Sequence, residues 1–137
     1  MSRLVILDNE AVQALSTPIH PKHNQVLSHV QVVVSRKKRA IPVSLAVPTA
    51  VRAEAGWDRT SAAWAFPNHL RIADIPLDAV HANTAAVIRN DTGVSIADAH
   101  IGAAVEGSPN VDITVISSDP YDIRKVAGDC TITVVTI

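Results

Sequence analysis

The segment Leu4-Val5-Ile6-Leu7, which ends at Asp8, decides the fold of this sequence. A continuous apolar run closed by an acid is typical of a strand buried on both faces, as the strands of a parallel sheet are. Four further segments are predicted as strands: 43–47, 70–73, 113–117 and 131–137. The pattern therefore predicts a sheet with five strands.

Helical patterns fill the intervals between these strands. Pro48 suits the first turn of a helix, and Ser95 suits an N-cap. The predicted helices cover 10–15, 26–39, 48–57, 77–90, 96–106 and 120–127, with a turn at 91–93. Alternation of strands and helices favours an α/β fold with a mostly parallel sheet. We see no repeat or linker that would divide the chain, so residues 1–137 are expected to form one domain.

Composition and charge narrow the functional classes. The chain has 137 residues and a formal net charge of −1, so its overall charge does not indicate a nucleic-acid-binding protein. Cys130 is the single cysteine, which excludes an internal disulfide and favours a reducing, cytoplasmic location. We expect this thiol to be an inert core group. The first apolar run is too short for a signal peptide or a membrane span.

Two acids directly follow predicted strands. Asp8 comes after the first strand, and Asp119 comes after the strand at 113–117. In open α/β sheets, ligands bind beyond the carboxyl ends of the strands. Both acids are therefore expected at the ligand-binding edge.

Two more acids lie on helix faces that should be apolar. Glu54 shares its face with Val51 and Trp57, and Asp98 shares its face with Ile101. Burial of a lone carboxylate is costly unless something pairs with it, and a shared Mg²⁺ or Mn²⁺ ion would neutralise all four acids. The alternative is that the strand-end acids are ordinary caps and that the helical acids reach solvent.

Four segments together resemble the PIN-domain family, and more narrowly its VapC-like toxin ribonucleases. They are Leu4-Val5-Ile6-Leu7-Asp8, Val47-Pro48-Thr49-Ala50-Val51-Arg52-Ala53-Glu54, Ile96-Ala97-Asp98-Ala99-His100-Ile101 and Ser117-Ser118-Asp119-Pro120-Tyr121-Asp122-Ile123. The resemblance implies a three-layer α/β/α fold with a five-stranded, mostly parallel sheet. It also implies Mg²⁺-dependent endoribonuclease activity, homodimerisation and inhibition by a small cognate antitoxin.

By the same resemblance, Asp8, Glu54, Asp98 and Asp119 match the catalytic, metal-binding quartet, with Asp122 and Ser118 in support. Basic residues that could contact RNA phosphates are Arg52 and the run Arg36-Lys37-Lys38-Arg39. The same run also suits a solvated helix end. A non-catalytic PIN-like module that binds RNA or protein, and a structure-specific DNA nuclease, remain alternatives. Asn9-Glu10 and Ser95 favour the non-catalytic module.

Other constellations fit less well. Asp8-Asn9-Glu10 differs from the Asp-x-Asp of haloacid-dehalogenase-type phosphatases, and the acid pair and lysine of receiver domains are missing. The histidines His20, His23 and His29 do not share one helical face, which disfavours a zinc site. His100 is expected at the edge of the core. The aromatic residues Trp57, Trp64 and Phe66 suit core packing or a groove for an antitoxin helix.

Overall fold

The computed structural model describes residues 2–37 and 42–137, with the side chains of residues 36 and 37 excepted. Five strands form one sheet in the order β3-β2-β1-β4-β5. Their bounds are β1 Arg3–Leu7, β2 Val43–Pro48, β3 Ala73–Ile75, β4 Asp112–Ser117 and β5 Thr133–Thr136. Every pairing between neighbouring strands is parallel. The apolar run of β1 lies at the centre of the sheet, as its unbroken hydrophobicity predicts.

Helices cover both faces of this sheet. Their bounds are α1 Asn9–Ser16, α2 His23–Lys37, α3 Thr49–Ala55, α4 Ala65–His69, α5 Ala79–Thr92, α6 Ile96–Glu106 and α7 Pro120–Ala127, with a 3₁₀ helix at Ala62–Trp64. Helices α1, α2 and α4 form one layer, and α5, α6 and α7 form the other. Right-handed crossovers require this division, because the chain moves outward in opposite directions from β1 and from β4. The predicted α/β class with three layers is confirmed.

The segment between β2 and α5 departs from the prediction. The third strand was expected at 70–73, but Arg71 adopts a left-handed φ of 54° and the strand forms at Ala73–Ile75. The short helices at 62–69 were not predicted at all. The Asp78 side chain accepts a hydrogen bond from the His81 N–H, so α5 begins after Asp78. Helix α5 then runs to Thr92 and takes in part of the predicted turn.

The C-terminal strand is less buried than predicted. Strand β5 pairs only with β4 and lies at the edge of the sheet, so its residues are half-buried or exposed. Cys130, which precedes this strand, is also exposed. The expectation of a core thiol is therefore wrong. None of the helices in the described ranges combines the length and the apolarity that crossing a membrane requires.

Candidate active site

The centre of the sheet contains a topological switch point. From β1 the chain crosses to β2 on one side, while from β4 it crosses to β5 on the other side. Ligands of open α/β sheets bind beyond the carboxyl ends of the strands at such a point. Leu7 and Ile116 are in register there, and the Asp8 N–H donates to the Ile116 carbonyl at 3.2 Å. The two strand-end acids predicted from the sequence therefore lie at the same switch point.

Asp8 is a buried carboxylate at the start of α1. Only 6% of its surface is exposed, and its Oδ1 accepts a hydrogen bond of 2.8 Å from the Ala11 N–H. Burial raises the pKa of Asp8, although hydrogen bonds from the Ser117 hydroxyl and from the Ala11 and Ser118 N–H groups oppose that rise. Asp8 is thus an N-cap, as the structural alternative required, and also an anion held in a poorly solvated position.

Ser117 joins the two strand-end acids. This fully buried side chain hydrogen-bonds to Asp8, and its hydroxyl oxygen accepts the Asp119 N–H at 2.9 Å. Sequence reasoning assigned the supporting role to Ser118, whose side chain is exposed and whose backbone N–H is the group near Asp8. The alternation of buried residues along β4 places the Ser117 hydroxyl inside the protein. That pattern is the signal that sequence reasoning missed.

Asp119 and Asp122 lie at the start of α7. The Asp119 Oδ1 accepts a hydrogen bond of 3.1 Å from the Asp122 N–H, so Asp119 caps the helix. Desolvation, followed by a hydrogen bond with the Asp119 carboxyl and by its charge, raises the pKa of Asp122. The two carboxyl groups therefore lie within hydrogen-bonding distance of each other.

Asp98 is the point on which the other acids converge. It is half-buried in the first turn of α6, where its N–H donates to the Ser95 Oγ at 3.1 Å. Burial, followed by the negative charges of four carboxylates, raises the pKa of Asp98 to about 6. Those carboxylates, in decreasing order of effect, belong to Asp122, Asp8, Glu54 and Asp119. The predicted quartet is therefore gathered within electrostatic range of one side chain.

Glu54 is the most loosely held member of the quartet. The prediction that it shares a buried face is wrong, because the side chain is exposed. Helix α3 has seven residues and buries only Val51, since Gly56 ends it in a left-handed conformation with a φ of 77°. Asn9 Nδ2 approaches Glu54 Oε1 at 3.5 Å, which places the residue after Asp8 beside this carboxylate.

His100 connects the helices that carry Asp98 and Glu54. It is completely buried, and its Nδ1 accepts the Ala50 N–H at 3.3 Å, which links α6 to the start of α3. Burial, followed by the charge of His81, lowers the pKa of His100. The ring is therefore neutral with the proton on Nε2, since Nδ1 acts as an acceptor. The sequence placed His100 at the edge of the core but did not show this link.

Arg52, predicted to contact RNA, is engaged with the protein itself. Its guanidinium donates to both carboxylate oxygens of Asp74, at 2.8 and 3.2 Å, and to the Trp57 carbonyl at 2.9 Å. These contacts favour a structural role, and the contact with RNA stays a prediction. The side chains of the basic run Arg36-Lys37-Lys38-Arg39 lie outside the described residues.

The negative charge of the site suits a divalent cation, but the present positions of its side chains do not. The ion pairs found among residues 2–35 and 42–137 involve none of the four acids of the quartet. Oxygen donors of this kind select Mg²⁺ or Mn²⁺. However, within those same ranges no three acidic, histidine or cysteine side chains lie close enough together to hold an ion as they stand. Metal binding would therefore require the carboxylates to draw together.

The histidines near the amino terminus are held separately. His20 Nε2 lies 3.1 Å from the Glu10 carboxylate, and His23 Nδ1 lies 2.8 Å from the Ala14 carbonyl. In the described part of the chain they belong to no group that could bind a metal.

Comparison with known proteins supports the fold alone. The chain is similar to the protein described as "Crystal structure of PAE2754 from Pyrobaculum aerophilum", with a TM-score of 0.53 and 11% sequence identity. The similarity covers 96% of this chain and 92% of that one. No protein-family model and no curated protein matches the sequence.

Proposed function

We propose that this chain is a Mg²⁺- or Mn²⁺-dependent endoribonuclease of the PIN-domain, VapC-like type. One observation carries the proposal: the fold brings the carboxylates of Asp8, Glu54, Asp119 and Asp122, from three separate parts of the sequence, into electrostatic range of Asp98 at the switch point of the sheet. Such a concentration of negative charge at a ligand-binding edge is a mark of a functional site rather than of a structural one. The order and spacing of the acids, which resemble the PIN-domain quartet, support the same conclusion.

The four acids of the quartet would hold the metal ion from different parts of the fold. Asp8, Asp98 and Asp119 are the proposed metal ligands on rigid strand ends and helix starts, and Glu54 completes the set from the solvent side. A bound divalent ion would activate the attacking water and stabilise the charge that develops on the scissile phosphate.

Supporting residues hold these ligands in place. Ser117 orients Asp8 and the start of α7, while His100 fixes the distance between α6 and α3. Asp122, in the first turn of α7, adds negative charge beside Asp98 and would offer a further acceptor to water molecules around a bound ion.

The expected setting follows from the cysteine content and from the same resemblance. The single cysteine favours a cytoplasmic location, and the resemblance implies a homodimer whose activity a small cognate antitoxin blocks. The groove between α2 and α4 has a volume of about 260 Å³ and is lined by five apolar and two polar residues: Leu27, Val30, Val34, Phe66 and Leu70, with Gln31 and Ser35. Its apolar part is compatible with an apolar segment of such a partner.

The test is cleavage of a fluorescent single-stranded RNA with Mg²⁺, with Mn²⁺ and with EDTA. We expect metal-dependent cleavage, and we expect Asp98→Asn to lower the rate by more than about 100-fold, because outer-shell changes alone cost 10- to 100-fold. The matched control is Asp112→Asn. Asp112 lies at the amino end of β4 and pairs with Arg3 at 3.5 Å, far along the strand from Asp119. Full activity of a pure Asp98→Asn protein would contradict the proposal.

The second candidate is a non-catalytic module that binds RNA or protein. The open arrangement of the carboxylates, which closes on no metal within the described residues, favours it. Titration calorimetry with Mn²⁺ separates the two functions, since a binding module need not take up the ion. Parallel assays on RNA and DNA of one sequence distinguish a ribonuclease from a structure-specific DNA nuclease.

A further inference from the structure

An exposed aromatic ring stands beside the carboxylates. Tyr121 is in the first turn of α7, between Asp119 and Asp122, and 72% of its surface is exposed. The sequence contains one Tyr, one Phe and two Trp residues, so exposed aromatic surface is scarce. By contrast, Trp57 is 3% exposed and stacks on Trp64 at 5.8 Å between ring centroids. Tyr121 is therefore the ring that the protein offers most fully to solvent.

A cation accompanies this ring. Lys125 lies one turn further along α7, and its Nζ is 5.3 Å from the centroid of the Tyr121 ring. The same ammonium group acts on Asp122, since its charge opposes the rise in the pKa of that carboxyl. Lys125 thus lies near the Tyr121 ring and within electrostatic range of the Asp122 carboxylate.

The neighbouring helix adds a second exposed apolar group. Ile96 lies in the first turn of α6, two residues before Asp98, and is 52% exposed. Helix α6 packs against α7, and both helices begin at the carboxyl edge of the sheet. Exposed apolar side chains, Ile96 on α6 and Tyr121 on α7, therefore lie next to the acids of both helices.

We propose that Tyr121 and Lys125 form a platform for single-stranded RNA, on which a base stacks against the ring and the ammonium group contacts a phosphate. Stacking on aromatic side chains needs bases whose faces are free, which a duplex does not offer. The Lys125 charge would also offset the repulsion between the phosphates and the nearby carboxylates. This platform rests on the proposed function, which supplies RNA as the ligand. It adds that the RNA is single-stranded and that Tyr121 and Lys125 recognise it.

Binding is measured by fluorescence anisotropy with a labelled oligoadenylate, in Mg²⁺ and in an Asp98→Asn background that prevents cleavage. We expect Tyr121→Ala to weaken binding by roughly five- to 100-fold, which is the usual effect of losing one stacked base. Tyr121→Phe keeps the ring and is expected to stay within about two-fold of the parent. Phe66→Ala is the matched control, because Phe66 is an exposed ring on α4, in the opposite layer.

The cation is tested separately by salt dependence. Lys125→Gln removes the charge and leaves a polar side chain that is one atom shorter. We expect it to reduce the slope of log affinity against log salt concentration by about 0.7, the contribution of one phosphate contact on a single strand. Tyr121→Ala should leave that slope nearly unchanged.

The outcomes distinguish this platform from the nuclease activity. If the unaltered protein cleaves RNA but Tyr121→Ala binds no worse than Phe66→Ala, the platform is wrong and the nuclease proposal stands. Equal weakening of duplex and single-stranded RNA by Tyr121→Ala would also overturn the platform. If binding depends on the ring but the unaltered protein never cleaves, the platform stands and the nuclease proposal fails.

Discussion

Two acids of this protein, the exposed Asp74 and the half-buried Asp98, have opposite electrostatic surroundings. Asp74, on the edge strand β3, lies 2.8 Å from Arg52 Nε and 2.8 Å from Arg59 Nη2. Burial raises the pKa of Asp74, but hydrogen bonds and charge from the two guanidinium groups outweigh it and lower the pKa overall. Burial also raises the pKa of Asp98, but here the neighbouring charges are carboxylates that add to the rise, and the pKa reaches about 6.

The difference separates a structural acid from a functional one. The chain supplies its own cations to Asp74, and Arg59 also donates to the Ile72 carbonyl at 2.6 Å and lies over the Trp57 ring. That network fixes the segment before β3 and requires nothing from outside. The carboxylates around Asp98 repel one another, so an external cation would gain from binding there.

The largest expected effect is stabilisation by Mg²⁺ above pH 6. The pKa of Asp98 is about 6 in the folded protein against an ordinary value of 3.8, so the stability it contributes is complete below pH 3.8 and is lost as the pH rises to about 6. Metal binds the deprotonated acids. At pH 8, Mg²⁺ at 100 times its dissociation constant should stabilise the fold by about 2.7 kcal/mol, or raise Tm by roughly 10 °C. At pH 5 the rise should be much smaller.

Thermal unfolding followed by circular dichroism measures these shifts, with and without the ion. Asp98→Asn should lose the metal response and, in EDTA at pH 8, should unfold at a higher temperature than the parent, because one repulsive charge is gone. Asp74→Asn is the control and should retain the response. A Tm at pH 8 that Mg²⁺ does not move would remove the distinction between the two acids.

An intermediate effect is expected where α6 meets α7. A Cβ added at Gly102 would lie 2.7 Å from the Val126 carbonyl oxygen and 2.8 Å from Ile88 Cδ1. Overpacking costs about 1–3 kcal/mol, and the better helix propensity of alanine returns up to about 1 kcal/mol. Gly102→Ala should therefore lower the free energy of unfolding by roughly 1–2 kcal/mol. It should also weaken Mn²⁺ binding, because the helices carrying Asp98 and Asp122 are forced apart.

Urea unfolding and calorimetric Mn²⁺ titration provide the two readouts. Val87→Ile adds one carbon at an exposed position of α5 and should change stability by less than about 0.5 kcal/mol. If Gly102→Ala were as stable as the parent and bound Mn²⁺ equally well, close packing of α6 on α7 would have no part in positioning the acids.

The features that sequence reasoning recovered are those with a local signature. The apolar runs of β1, β2 and β4 identify buried parallel strands, and the acids that end β1 and β4 follow from their position in the chain. The capping by Ser95 is likewise confirmed, since it depends on residues within one turn. Such signals need no knowledge of distant neighbours.

The features that it missed depend on contacts between distant segments. Ser117 hydrogen-bonds to Asp8, which is more than 100 residues away in the chain. His100 accepts the N–H of Ala50, which is 50 residues away. The exposure of Glu54 follows from the early end of α3 at Gly56, which a helix predicted to reach Trp57 did not include. Arg52 is close to Glu54 in sequence, but its side chain pairs with Asp74 on β3. That pairing was missed because the strand was predicted to begin three residues too early.

The smallest expected effect tests the structural acid itself. Asp74→Asn should lower the free energy of unfolding by roughly 1 kcal/mol, because charge-assisted hydrogen bonds are lost at a site that is 34% exposed and partly screened by solvent. Since the pKa of Asp74 is lowered in the folded protein, its contribution is present above pH 3.8 and disappears as the pH falls through that lower value. Urea unfolding at pH 7 and at pH 3 measures the change, with Asp112→Asn as the control. A loss that persists undiminished at pH 3 would show that packing, rather than charge, makes Asp74 structural, and the contrast with Asp98 would then not be electrostatic.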